Sequence, residues 1–217
     1  MIRARLKHYA KRMLNRPSVP PPIKGVADAQ WYDANYRVSA NYAAPYWESE
    51  YLFLWSVLAD RIRTARARHV LDIGCGAGQF ASCLYALAPI EGYTGLDFSA
   101  QAVAMAQRTC PQARFVVGDA TKTTVHDEVP HDILTCTEVL EHVPADHLVI
   151  ERFKPGTRCI CTVPNFPHET HVRHFTTAEQ VADRYGRFFD GLDVWALRRS
   201  PSQVFFVLDG TRNHDRS

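Results

Sequence analysis

From His69 onward the chain alternates short apolar runs with stretches whose apolar residues recur every three or four positions. HVLDI, YTGLD, RFVVGD, HDILTC and TRCICTVP read as strands, with GQFASCLYALA and AQAVAMAQR as helices among them. Strands of this kind, separated by helices, predict an α/β fold in which a mostly parallel sheet carries helices on both faces. After residue 176 the order changes to one helix, TAEQVADRYG, then two β-rich runs, FFDGLDVWALRR and SQVFFVLDG, joined by the turn residues SPS. So short a connection makes the last two strands an antiparallel pair.

Upstream, residues 31–55 crowd aromatics, and from Ala44 to about Arg66 the apolar spacing is helical. The expectation is a helix with an aromatic lead-in containing Tyr36, Tyr42, Tyr46 and Trp47. It would serve either as a lid over the strand ends or as packing against the sheet edge. The first sixteen residues hold six Lys or Arg and no acid, with Ile2, Leu6, Tyr9 and Met13 on one helical face. A solvated helix against the domain is the favoured reading, with a transit peptide, a membrane-surface contact or a partner-docking arm left open. PSVPPP, residues 17–22, is a stiff connector. The division is therefore 1–30, a basic helix and connector, and 31–217, the main domain with its aromatic lid at 31–66.

Composition narrows the class. A chain of 217 residues, 46% apolar, buries one core and requires no second domain. A net charge of +2 lacks the concentrated basic face expected of a nucleic-acid binder. Six cysteines without CxxC pairs read as reduced thiols. No run approaches the roughly 18 to 20 apolar residues of a membrane span, and the N-terminus lacks a secretory apolar stretch. The expectation is a soluble cytoplasmic protein with no transmembrane segment.

The chemistry begins at VLDIGCGAGQF, residues 70–80, where a strand runs into Gly74, Gly76 and Gly78 and then a helix. Glycine lets backbone approach a ligand, and the helix start offers free N–H groups. Alone this is a weak signal, and a tight turn explains it as well. The second strand, however, ends in Asp97, placed to accept both hydroxyls of a ribose, and the third in GDA, with Asp119 and Ala120.

This order of motifs, over residues 69–175, resembles the class I S-adenosylmethionine-dependent methyltransferases, whose fold is a Rossmann-like seven-stranded sheet. The resemblance implies that Asp72, Gly74 and Gly76 of the first motif approach the methionine part of the cofactor. It further implies that Asp97 holds the ribose, that Asp119 and Ala120 meet the adenine, and that Thr137 lies beside the sulfonium. A nicotinamide-binding domain would need glycine at position 79, which is Gln79.

At the fourth strand end stands EVLEHV, residues 138–143. Relatives that methylate base amino groups carry Asn or Asp followed by Pro-Pro-aromatic here; this chain does not, so DNA is not an expected partner. EVLEHV resembles the ExxEH of small-molecule O-methyltransferases, including the ubiquinone-biosynthesis type. It is also similar to that of small-RNA 3′-terminal 2′-O-methyltransferases, in which a later His completes a divalent-ion site.

By that likeness Glu138, Glu141, His142 and His174 form a candidate metal set for Mg²⁺ or Mn²⁺, with His171 the weaker alternative to His174. Three- and four-residue spacing puts Glu138, Glu141 and His142 on one face if this turn is helical. His142 and Glu138 are the candidates for activating the acceptor, and the simpler reading has His142 as a general base with Glu141 and His174 only packing locally. Asn165, in the PNF turn, either orients a polar substrate or shapes the turn.

The resulting expectation is an O-methyltransferase acting on a small hydroxylated molecule such as a sugar, polyol or phenol. RNA 3′-end methylation is the less favoured alternative, because no RNA-binding domain or basic track accompanies the fold. A noncatalytic partner subunit is the other. A homodimer through the N-terminal arm is left open.

Overall fold

The computed structural model describes residues 26–214. The basic helix, its connector and the dimer arm expected within residues 1–25 therefore lie outside the described residues. Helices α1 (Ala29–Val38), α2 (Ala40–Ala43) and α3 (Leu52–Thr64) lead into the alternating region. There follow β1 (His69–Ile73), α4 (Gln79–Leu87), β2 (Gly92–Asp97), α5 (Ala100–Thr109), β3 (Arg114–Val117) and α6 (Val125–Glu128). The chain continues with β4 (Ile133–Thr137), α7 (Asp146–Glu151), β5 (Arg158–Pro164), α8 (Ala178–Tyr185), β6 (Phe189–Arg198) and β7 (Val204–Arg212).

The seven strands form one sheet in the order β3-β2-β1-β4-β5-β7-β6. Strands β1 to β5 pair in parallel, while β7 runs antiparallel to both β5 and β6. Strand order reverses between β1 and β4, so the crevice at their carboxyl ends is where an open α/β sheet receives a ligand. The loop of Gly74 to Gly78 and the EVLEHV segment both leave from that crevice.

Alternation along the strands divides the apolar side chains between two layers. Val70, Ile133 and Ile160 face α3, α4 and α5 through Leu58, Leu84 and Val103. Leu71, Leu134 and Cys159 face the other layer, with Val149, Phe153 and Val181 of the α7 and α8 regions. All six cysteines are buried and free. No helix among the described residues is long and apolar enough to cross a membrane.

Two local expectations are corrected. The aromatic lead-in is itself helical: Asp28 caps α1 by accepting from the Trp31 amide at 2.8 Å, and Pro45 then separates it from α3. EVLEHV is not helical. Glu138 has φ +56°, His142 N donates to Val139 O at 2.9 Å to close a tight turn, and the next helix starts only at Asp146. Positive φ at a glutamate is uncommon and costs on the order of 1 kcal/mol or more, so helical spacing does not govern where these side chains point.

One buried group outside the crevice sets an acid limit on stability. His126 is 1% exposed, and neither ring nitrogen has a hydrogen-bond partner among the described residues. Burial, with His131 and Arg152 nearby, pulls its pKa down to about 4. The unfolded chain, with an ordinary histidine near 6.5, then binds the extra proton, so stability is complete above that pH and is lost as pH falls toward 4. The expected loss between pH 7.5 and 4.5 is about 2 to 3 kcal/mol from this residue. Urea unfolding of the wild type and His126→Phe at both pH values measures it; equal losses in the two proteins would remove His126 as the cause.

Candidate active site

The glycine loop is tied to β2. The amides of Gly74 and Cys75 both donate to Leu96 O, at 2.7 and 3.0 Å, and Gly76 N donates to the Asp97 carboxylate at 2.9 Å. Gly74 has φ +81°, and a Cβ placed there would lie 2.2 Å from Val139 Cγ2, so the loop packs directly on the EVLEHV segment. Any side chain at 74 would push the two apart.

Asp97 is buried, accepts Ser99 N at 2.9 Å as well as Gly76 N, and forms no ion pair among the described residues. Burial pushes its pKa up to about 6, against the pull of those two amides. A carboxylate so placed favours further neutral donors, which the two hydroxyls of a ribose supply. Asp119 is exposed and turns back on its own segment, accepting Thr121 N at 2.9 Å, Thr121 Oγ1 at 2.7 Å and Lys122 Nζ at 3.0 Å. Ala120 packs on the adjoining apolar layer, and Thr137 is half-buried at the end of β4.

Asp72 is placed differently from its expected role. Its carboxylate is buried beneath the loop and accepts from the Tyr93 hydroxyl and from Thr135 Oγ1, the latter at 2.6 Å. Burial raises its pKa to about 7. Both oxygens are engaged within the sheet, so Asp72 braces β1 against β2 and β4.

The aromatic segment packs on these groups. Asp33 on α1 accepts Ser99 Oγ at 2.5 Å and Gln101 N at 3.1 Å, pinning the helix to the start of α5. The Tyr36 hydroxyl sits against Gly76, and the Gln79 side chain donates to Asn41 O at 3.0 Å and Ala44 O at 2.5 Å. Two residues were missed by the sequence reading. Phe98 leaves an exposed ring beside Asp97, edge-on to Tyr32 at 5.2 Å. Tyr32 brings its hydroxyl to 3.1 Å from His142 Nδ1. The signal for Phe98 was the aromatic directly after GLD; nothing local distinguished Tyr32 from its neighbours.

On the acceptor side, Glu138 is half-buried and its carboxylate accepts Thr162 Oγ1 at 2.9 Å. Burial pushes its pKa up to about 8. Glu141 is wholly buried, and neither carboxylate oxygen has a hydrogen-bond partner among the described residues. Burial and the neighbouring Glu138 raise its pKa well above the ordinary value, with Arg173 opposing.

His142 Nδ1 lies 3.1 Å from Thr170 O, and His171 Nδ1 lies 3.0 Å from Phe166 O. A carbonyl only accepts, so Thr170 O and Phe166 O favour the tautomer with the proton on Nδ1 and Nε2 bare, in which the Tyr32 hydroxyl beside His142 Nδ1 also accepts. Burial pulls His142 down to about 3 and His171 to about 4. His142 Nε2 stands 3.8 Å from Glu141 Oε1, and the two imidazole rings are 4.8 Å apart.

Glu141, His142 and His171 thus offer ligand atoms that all lie within 4.8 Å of one another. Of the four residues expected to form a metal set, Glu138 and His174 lie outside this group, and His174 is exposed. The weaker candidate, His171, occupies the third corner because the chain turns at Thr170 to put its ring over His142. Asn165 is a turn former: its side chain accepts Val204 N at 2.7 Å and donates to Ser202 O at 3.3 Å.

Residues 70–154 match the family model described as a methyltransferase domain. The ubiquinone biosynthesis O-methyltransferase of Glaesserella parasuis is 34% identical over 103 residues, 44% of this chain and 43% of that protein. The trans-aconitate 2-methyltransferase of Klebsiella pneumoniae is 30% identical over 135 residues, 59% of this chain and 51% of that one. The chain therefore matches about half the length of these curated relatives.

Among solved structures, the N-methyltransferase NodS of Bradyrhizobium japonicum, in complex with S-adenosyl-L-homocysteine, superposes with a TM-score of 0.56. It is 17% identical, over 72% of this chain and 85% of that one. The methyltransferase-domain match over residues 70–154, the sheet order and a glycine loop closed by a buried acid agree with the Rossmann-like fold of class I S-adenosylmethionine-dependent methyltransferases.

Proposed function

We propose that this protein transfers a methyl group from S-adenosylmethionine to a hydroxyl oxygen of a small molecule, with Glu138 and His142 activating the acceptor. The reading is carried by the presence, in one turn at the end of β4, of a carboxyl raised to about 8 and an imidazole whose Nδ1 is engaged by Thr170 O. The cofactor, held through the glycine loop and Asp97, supplies an electrophilic methyl carbon. Transfer to oxygen then requires the protein to orient the acceptor and take one proton.

The two residues divide that work according to their surroundings. A general base acts best with a pKa near the working pH, which Glu138 has and His142, at about 3, has not. Glu138 takes the proton of the reacting hydroxyl. His142 accepts a hydrogen bond at Nε2 from a neighbouring hydroxyl, which favours vicinal diols such as catechols and sugars.

A second reading is favoured by Glu141. A fully buried carboxylate with both oxygens unpartnered costs several kcal/mol unless something neutralises it. Glu141, His142 and His171 together suit a divalent ion, for which one carboxylate and two imidazoles are apt ligands. Such an ion would supply Lewis acidity toward an acceptor hydroxyl.

The test is calorimetric titration of S-adenosylhomocysteine, followed by transfer of labelled methyl to caffeate, glucose, trans-aconitate and a small RNA with a free 3′ end, each with chelator or Mn²⁺. Labelling of caffeate or glucose supports the reading, and dependence on Mn²⁺ selects the second form of it. Labelling of trans-aconitate alone would overturn it, since a carboxylate needs no base; labelling of RNA alone would move the acceptor to a polynucleotide.

A further inference from the structure

The acceptor site is assembled from two separate loops, 138–144 and 168–174, and the Arg173 side chain makes several of the bonds that join them. Arg173, largely buried, donates to three carbonyls of the first loop: Leu140 O, Val143 O at 2.6 Å and Pro144 O at 2.7 Å. Those carbonyls bracket Glu141 and His142. From the same segment as Arg173, Val172 N donates to Glu141 O at 2.8 Å, and Thr170 O meets His142 Nδ1.

The guanidinium is itself fixed. Its charge faces Asp146 at 3.2 Å, a wholly buried carboxylate that is gripped by both forks of Arg184, at 2.8 and 2.6 Å, and by the Tyr185 hydroxyl at 2.7 Å. Arg184 and Tyr185 belong to α8, which packs in the second apolar layer. A continuous line of charged hydrogen bonds, linked by the Arg173–Asp146 ion pair, therefore runs from α8 to the turn carrying the ExxEH side chains.

We propose that Arg173 is the positioning residue of the acceptor site, holding the His142 ring on Thr170 O so that Nε2 stays bare and aimed at Glu141 and His171. The inference rests on the reading of Glu138 and His142 given above, but it concerns the ligand-free protein. Several carbonyls at once demand the planar fork of an arginine. A lysine at 173 keeps the charge and cannot span them. Without that span, the turn at 140–144 keeps only its own backbone contacts and the bonds from Val172 N and to Thr170 O, and His142 gains a second tautomer.

The experiment is ¹⁵N NMR of the histidine rings in the wild type, Arg173→Lys and Arg173→Met, with S-adenosylhomocysteine affinity as the check on folding and on the cofactor half of the site. In the wild type His142 should show separate signals for a protonated Nδ1 and a bare Nε2. In both variants these should move toward the averaged position of exchanging tautomers, while affinity for S-adenosylhomocysteine stays within about twofold.

Folded variants with an unchanged His142 signal would overturn the proposal. Should neither variant fold, Arg184→Gln, which reaches the turn only through Asp146, takes their place: averaging supports the proposal and a fixed tautomer overturns it. Wild-type protein that binds no S-adenosylhomocysteine would defeat the functional reading alone, because the tautomer is measured independently of the cofactor.

Discussion

Substituting Glu138 with glutamine is expected to lower kcat toward a hydroxyl acceptor by about 10² to 10⁴, the range over which a positioned base contributes. The side chain keeps its shape and still accepts from Thr162 Oγ1, so S-adenosylhomocysteine affinity should change little. The wild-type rate should rise with pH through about 8, because burial holds the carboxyl protonated below that value and only the carboxylate can take the proton.

The position of that rise depends on whether an ion is present. A divalent cation at Glu141, His142 and His171 would favour the charged form of Glu138 and move the rising limb to lower pH. Rates measured from pH 5 to 9.5 in chelator and in Mn²⁺ therefore read both points. A limb near 6.5 in chelator, surviving in Glu138→Gln, would transfer the role of base to a histidine.

The strain at Glu138 bears on the same prediction. A glutamate at φ +56° is retained against a backbone cost, whereas glycine would adopt this conformation freely. Glu138→Gly should thus fold at least as stably as Glu138→Gln while losing the same rate, which separates a chemical role from a conformational one.

The parallel sheet and its antiparallel ending were legible because each strand is short, apolar and bounded by turn residues, and that signal is local. β3 ends at Val117, two residues before Asp119, because the Asp119 carboxylate captures the Thr121 amide and turns the chain. The glycine loop and Asp97 were legible for another reason: the constraint falls on backbone, so the residue type itself records it. What local pattern could not show was direction. Helical spacing in ExxEH suggested a common face, yet the positive φ at Glu138 and the turn at Leu140 to His142 redirect the side chains. The choice between His171 and His174 likewise depends on a turn whose partners, Phe166 O and Glu141 O, lie 5 and 31 residues away from the groups they bind. Arg173 and Tyr32 act wholly through such distant contacts.

Asp97→Asn should produce the largest loss of cofactor affinity. The carboxylate holds the loop through Gly76 N and Ser99 N and keeps its remaining acceptor capacity for the ligand. An amide of the same size presents an N–H₂ donor where at least one oxygen now accepts, so one buried donor faces another. Two charge-assisted hydrogen bonds to ribose hydroxyls, at about 1.5 to 3 kcal/mol each, correspond to a loss of roughly 10² to 10⁴ in affinity for S-adenosylhomocysteine.

A cycle with the 2′,3′-dideoxy analogue divides this loss between ligand and loop. If Asp97 meets the ribose, the analogue binds the wild type almost as weakly as S-adenosylhomocysteine binds the variant, and combining the two changes costs little more. If Asp97 only braces Gly76, the analogue binds the wild type normally and the variant weakly. In that case the buried carboxylate, raised to about 6 by its surroundings, would be a fixture of the glycine loop rather than a receptor for the nucleoside.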